Sequence, residues 1–329
     1  MRLKFAQQLS FTDFLQKEYD VLIAASGYET RATTLSEKVH TRVRRKCSIG
    51  FKERSEHPQR IKNDKVFHDM KFDTYSAREG SFEDVINVLD EILAKEIFQE
   101  KLSIIIDYSC MTKVWYATIL NFFLNKYSEL SSLEVIFSYS PSQFSVPKMP
   151  MPNRYMGPIP GIFRVSASYK PTALILGLGY EKETAKGLME YLDPQETYSF
   201  YSKPAYDDRF SEIVEKNNEK LLASLGSDHV YTHSMSDIKT TDSLLSSLCM
   251  SLRSNYRVIL APLGPKPFSL LCLLLATKFP DIDVWRVSSG DSGNIYDRLP
   301  FNCAPILCRT VFERRNNFKP EKLHKAIEH

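Results

Sequence analysis

"VLIAASGYETRATTL" (residues 21–35) returns, much altered, as "LILGLGYEKETAKGL" (residues 174–188). Each is an apolar run of strand character, then Gly-Tyr-Glu, then a segment with helical spacing of its apolar residues. Gly27 and Gly179 stand 152 residues apart. The likeness continues downstream. Glu29 precedes Lys113 by 84 residues, and Glu181 precedes Lys266 by 85. Each lysine follows an apolar run and a short loop and opens an apolar helix. The two stretches are "IIIDYSCMTKVWYATIL" (104–120) and "RVILAPLGPKPFSLLCLLLA" (257–276). The chain reads as two copies of one plan.

The segments between follow the same order. Strands are expected near 20–25, 47–51, 70–75, 102–107 and 133–139, and again near 172–177, 197–202, 229–233, 256–261 and 282–288. Helices are expected between them, as the 3.6-residue periodicity of "FEDVINVLDEILAKEI" illustrates. Strand–helix alternation implies right-handed crossovers and an α/β fold of two doubly wound, mostly parallel sheets. Residues 1–140 and 172–290 would be the two domains. Residues 141–171 read as a proline-rich linker, since 140–171 hold seven prolines, which exclude a helix or a central strand. Residues 291–329 read as an irregular extension with a basic tail. Both connecting stretches are expected to pack over sheet edges or line the groove between the halves.

At 329 residues, two domains are the prior expectation. The balance of 43% hydrophobic and 25% charged residues is that of a soluble globular protein. A net charge of only +3 does not call for nucleic acid or an anionic membrane as partner. The start of the chain lacks an apolar signal core, and "FSLLCLLLA" (268–276) is too short to span a bilayer. The six cysteines form no CxxC. They read as reduced thiols of a cytoplasmic protein. His229 and His233 fall on an expected strand, too far apart to share an ion, so no metal and no cofactor are expected. Walker A, zinc and nucleophile-elbow motifs are absent. The basic run "RVRRK" (42–46) reads as a solvated face.

Ligands of parallel sheets bind beyond the strand carboxyl ends, where strand order reverses, near the loops after the first and fourth strands. In the first half those loops are "ASGYETR" and "DYSCMTK". The small residues Ala25, Ser26 and Gly27 allow close backbone approach to an anion at the next helix start, and Tyr28 is counted with Ser26 and Gly27 among the ligand-binding residues. Glu29 fits either the helix dipole or chemistry, and Arg31 could clamp a phosphate or pair with Asp107. Ser109 and Thr112 could donate to phosphate, although Thr112 also suits a helix cap. A cation at a helix start is locally unfavourable, and an anion beside Lys113 would resolve that. The second half keeps Gly179, Tyr180, Glu181, Gly264 and Lys266 but lacks the acid and hydroxyls of "DYSCMTK".

A strand running into "DYSCMTK" and an apolar helix resembles the fourth-strand loop of CARF domains, Rossmann-like sensors of cyclic oligonucleotides. A fused pair of such units is similar to SAVED domains of prokaryotic antiviral systems. The resemblance implies that Ser26, Gly27, Ser109, Thr112 and Lys113 contact a nucleotide or cyclic oligonucleotide. It also implies a separate effector chain, since the chain carries no appended nuclease or protease domain. Cys110 and Met111 stand where the family has a glycine pair.

Three functions fit these residues. One is a nucleotide-sensing module with Lys113 and Lys266 approaching a groove from its two sides. Another is an enzyme with Glu29 and Asp107 as catalytic carboxylates and one live site in the first half. The third is a scaffold subunit.

Overall fold

The computed structural model describes residues 1–94, 100–126, 130–148, 152–160, 169–289 and 296–314. The first half runs β1 (Arg2–Leu9), α1 (Phe11–Leu15), β2 (Tyr19–Ser26), α2 (Thr34–Val39), β3 (Val43–Phe51), α3 (Pro58–Asp69), β4 (Asp73–Ala77), α4 (Phe82–Leu93), β5 (Lys101–Asp107), α5 (Lys113–Lys126) and β6 (Ser132–Tyr139). Then come β7 (Tyr155–Pro158), β8 (Thr172–Gly177), α6 (Thr184–Leu192), β9 (Glu196–Ser202), α7 (Asp208–Asn217) and α8 (Glu219–Ser224). The chain closes with β10 (Val230–His233), α9 (Ile238–Leu252), β11 (Arg257–Pro262), α10 (Lys266–Lys278), β12 (Asp283–Ser288) and β13 (Ile306–Glu313).

Each half has the expected five-strand parallel unit. Their orders, β6-β5-β2-β3-β4 and β12-β11-β8-β9-β10, are the same doubly wound order. In both, order reverses between the first and fourth strands, β2 and β5 or β8 and β11. The fold is therefore α/β with two tandem Rossmann-like halves.

The sheets are larger than five strands, for a reason the linker and C-terminal segment explain. β7, from the proline-rich connector after the first half, pairs antiparallel with β12 of the second. β13, from the segment after the second half, pairs antiparallel with β6 of the first, and β1 pairs with β13. The halves thus exchange their last strands. Residues 306–313, read from sequence as irregular extension, are a strand of the first sheet, with Leu307, Cys308 and Phe312 buried. β7 is an edge strand, where its Pro158 is tolerated. The connectors also meet each other: Gln143 N–H donates to Leu299 O and Phe301 N–H to Pro141 O, both 2.9 Å. Met149, Met151, Phe163 and nearly all of the basic tail lie outside the described residues.

Side-chain alternation along the strands builds three hydrophobic layers. Val21, Ile23, Ile104 and Ile106 of the first sheet share one core with Ala173, Ile175, Val258 and Leu260 of the second. That core holds Trp115, Tyr116, Leu120 and Phe123 of α5 and Phe268, Leu271 and Leu275 of α10. Leu22, Ala24 and Ile105 point the other way, to α1, α2 and α3, and Leu174, Leu176 and Ile259 point to α6, α7 and α8. A helix apolar all round belongs between two sheets, and α5 and α10 are such helices. Each fully buried large apolar side chain contributes roughly 1.5–3 kcal/mol. The shared core therefore packs the two halves against each other. "RVRRK" proves to be the start of β3. Arg45 there reaches Tyr75 Oη at 3.1 Å and the Ile92 carbonyl.

Candidate functional site

α5 and α10 pack side by side, so the fourth-strand loops of the two halves meet. Their lysines cross. Lys113 Nζ donates to the Pro262 carbonyl of the second half. Lys266 Nζ donates to the Ser109 carbonyl of the first at 2.6 Å and reaches that of Tyr108 at 3.4 Å. Burial pulls the pKa of both ammonium groups down to about 8. The carboxylate opposing that shift comes in each case from the other half: Glu181 acts on Lys113, and Glu29 on Lys266. The Glu and Lys that recur in sequence within each half are thus matched across the halves.

The first-strand loops are held alike. The Asn63 amide donates to the carbonyls of Gly27 and Glu29, each at 2.9 Å. The Asn218 amide donates to Gly179 O at 3.0 Å, and Asn217 to Tyr180 O at 2.5 Å. Glycine is required at 179 and 264 by close packing. A Cβ there would lie 2.4 Å from Glu181 Oε2 or from Leu178 O.

Between these loops lie two neighbouring cavities. A cleft of about 860 Å³ is lined by Tyr28, Glu29, Glu79, Lys113, Lys148, Tyr180, Glu181, Lys182, Lys216, Tyr296 and Arg298, among others. A narrower cavity of about 250 Å³ shares Glu29, Lys113, Tyr180, Glu181 and Arg298 with it and adds Arg31, Gly179, Gly264, Lys266, Tyr206, Phe210 and Met235. In the cleft the five cations Lys113, Lys148, Lys182, Lys216 and Arg298 face the three carboxylates of Glu29, Glu79 and Glu181. Arg298 lies 5.2 Å from the Tyr296 ring and 5.8 Å from that of Tyr180, and its guanidinium donates to Tyr180 Oη at 2.5 Å. Burial pushes the Tyr180 phenol up to about 12, against the pull of Arg298. Burial also raises the Glu181 carboxyl, opposed by Lys113 and Arg298. Glu181 is exposed by area yet walled by protein on most sides, the usual state of a side chain inside a cleft.

The convergence expected of Ser26, Glu29, Asp107 and Lys113 is met by two of them. Glu29 and Lys113 line both cavities; Ser26 and Asp107 line neither. Ser26 is fully buried and its hydroxyl donates to Asp64 at 2.6 Å. Asp107 is buried at the end of β5, where one carboxylate oxygen accepts the Ser109 N–H and hydroxyl at 3.1 and 2.5 Å. Desolvation lifts its pKa to about 6, against the pull of Ser109, Arg31 and Lys266. Asp107 and Glu29 therefore do not form a working pair of carboxylates. Ser109 is buried too, its hydroxyl also accepting the Ser140 N–H at 2.8 Å. Thr112 is a cap: its hydroxyl accepts Trp115 N–H at 3.3 Å and donates to Glu79 O at 3.1 Å. Gly27 sits under Cys110, whose Cβ would be 3.2 Å from a Cβ there. Tyr28 stays in the cleft wall, its ring 5.7 Å from that of His57.

Arg31 is structural. It is 2% exposed and donates to Glu29 at 2.6 Å, Ser140 O at 2.8 Å and Ser109 O at 3.0 Å. Burial alone would lower its pKa, but Glu29, Tyr139 and Cys110 together raise it. Sequence reasoning missed Glu79, Lys148, Lys182, Lys216, Tyr296 and Arg298. The signal for the last two was the irregular stretch after β12, expected to line the groove. It docks on the first half through Thr30 N–H to Asp297 at 2.8 Å and Arg31 N–H to Arg298 O at 3.1 Å. Among the described residues no group of His, Cys, Asp and Glu is placed to hold a metal, and all six cysteines are thiols. Nor is any helix there long and apolar enough to cross a membrane.

No protein-family model and no curated protein sequence matches the chain. Among solved structures, the chain is similar to phosphoethanolamine N-methyltransferase 1 of Haemonchus contortus, solved with phosphoethanolamine and S-adenosylhomocysteine. Identity is 8%, the match covers 92% of this chain and 90% of that one, and the TM-score is 0.24, too low to bear on fold or ligand.

Proposed function

We propose that the chain is a binding module that takes a nucleotide-type phosphorylated ligand in the cleft between its halves. The observation that carries this reading is the composition of the cleft: five cations over three carboxylates, with Tyr28, Tyr180 and Tyr296 in its walls. Ammonium and guanidinium groups suit phosphate, and tyrosine faces suit a stacked base. Lys113 is held there at a cost, its charge desolvated and beside a helix start. A phosphate would offset both penalties.

A sensor role, in a prokaryotic defence or stress setting and with a separate effector chain, rests on the resemblance of the "DYSCMTK" loop to CARF domains. The enzymatic reading loses its acid/base pair, because Asp107 is turned away from the ligand space.

Calorimetric titration with ATP tests the proposal. Wild-type protein should bind, and Arg298→Ala should weaken binding tenfold to a hundredfold, the value of a lost charge-assisted contact of about 1.5–3 kcal/mol. Failure of adenine and guanine nucleotides to bind, mono- through tetraphosphate, would leave the scaffold reading.

A further inference from the structure

The cavities are not symmetric although the halves are. The loop after β8 passes three of them in chain order. Leu178 and Gly179 line the narrow cavity, Tyr180 and Glu181 line it and the cleft, and Lys182 lines the cleft and a third pocket. That third pocket, about 140 Å³, shares Lys182, Lys216 and Asn217 with the cleft and adds Lys186 and Lys220. Glu183 and Glu219 are also in its wall, so the four lysines outnumber carboxylates by two. The narrow cavity has Leu178, Tyr206, Phe210, Val214 and Met235 in its wall, beside the charged groups of Glu29, Arg31, Lys113, Glu181, Lys266 and Arg298.

The matching positions of the first half carry fewer lysines. Thr30 and Thr34 stand 152 residues before Lys182 and Lys186, and Ile61 stands before Asn63 as Lys216 stands before Asn218. Lys65 is the one lysine retained, opposite Lys220. Thr30 is moreover occupied by Asp297, and Arg31 fills the space behind Glu29. The half with the richer sequence loop is the closed one, and the open, basic side belongs to the second half.

We infer that the ligand is linear and unlike at its two ends: an aromatic base in the narrow cavity, a first phosphate beside Lys113 and Arg298, and a polyphosphate tail on the lysine pocket of the second half. This inference rests on the nucleotide-binding reading of the cleft. A twofold-symmetric cyclic ligand would leave the lysine pocket unused and would meet unlike residues, Thr30 and Thr34 in place of Lys182 and Lys186, on the first half. A single cation contact to phosphate is worth tenfold or more in affinity, so each added phosphate should register.

The test is calorimetry on the full chain, in EDTA at fixed salt. The probes are the adenosine and guanosine mono-, tri- and tetraphosphates, inorganic tripolyphosphate and a cyclic dinucleotide. Affinity should rise at least tenfold from mono- to tetraphosphate in one base series. Tripolyphosphate alone should bind at least tenfold more weakly than the matching triphosphate. The double variant Lys186→Gln, Lys220→Gln should remove the gain from the tail while leaving monophosphate affinity within twofold. These two side chains line only the third pocket. Equal affinity for mono- and tetraphosphate, or tighter binding of the cyclic dinucleotide than of any linear probe, would overturn the inference and leave nucleotide binding standing. Equal binding of tripolyphosphate and triphosphate would overturn the aromatic end. Absence of binding by every probe would remove the nucleotide reading itself.

Discussion

Replacing Lys113 by methionine removes a charge that the fold holds against its own solvation. The ammonium pKa lies near 8 in the folded protein and at 10.5 when unfolded, with burial as the main cause. One pH unit between those values is worth about 1.4 kcal/mol, so keeping the group charged costs roughly 3 kcal/mol at neutral pH. Methionine relieves that cost but leaves the Pro262 carbonyl without its donor, worth about 1–3 kcal/mol. The two terms nearly cancel at pH 7.5, and the variant should then match wild type within about 1.5 kcal/mol. The pH dependence separates them. The folded-state pKa is depressed, so the unfolded chain binds more protons between pH 8 and 10.5, and wild-type stability rises with pH across that window. Methionine has no such response. Urea denaturation at pH 7.5, 8.5 and 9.5 should show wild type gaining about 2 kcal/mol on the variant by pH 9.5, with the Lys266 response cancelling in the difference. A difference independent of pH would refute the desolvated, cross-half placement of Lys113.

Other outcomes follow from the same geometry. Asp107→Asn should leave nucleotide affinity unchanged, since Asp107 lines neither cavity, and should stabilise the protein at pH 7.5 by roughly 3 kcal/mol. Its folded pKa is raised, so the wild-type stability it contributes is present below about pH 4 and lost as pH rises through about 6. Urea melts across that window should show the loss in wild type and not in the variant. Arg31→Ala should destabilise by 3–5 kcal/mol, because Glu29 loses its partner and two buried carbonyls lose a donor; chemical denaturation measures it. The exchanged strands predict one unfolding transition for the whole chain. Single-tryptophan variants retaining Trp115 in the first half or Trp285 in the second should melt together, and Phe312→Ala should shift both by 3–5 kcal/mol. Two separate midpoints would contradict the shared core.

The duplication, the parallel units and the meeting of the Glu29 and Lys113 loops were legible because strand and helix periodicities are local. The edge strands were not. β7 has four residues and ends in proline, and β13 follows a stretch of turn residues, so neither carries a pattern that outweighs its surroundings. Their partners lie over a hundred residues away and are fixed by packing alone. The roles of Asp107, Ser109 and Arg31 were misread for a related reason. Sequence places a polar residue at a strand end but does not say which face it takes, and these three turn inward to satisfy one another. Arg298 and Tyr296 could be located only as part of an irregular segment, since nothing local tells a cleft wall from a spacer.

The most direct test of the central claim is photolabelling with 8-azido-ATP followed by peptide mapping. The azide reacts where the base sits, so the label should fall on segments walling the cavities between the halves, around Tyr180, Tyr206 or Tyr296, and unlabelled ATP should suppress it. Label confined to peptides away from those cavities, or undiminished by competing ATP, would contradict a nucleotide site between the two sheets.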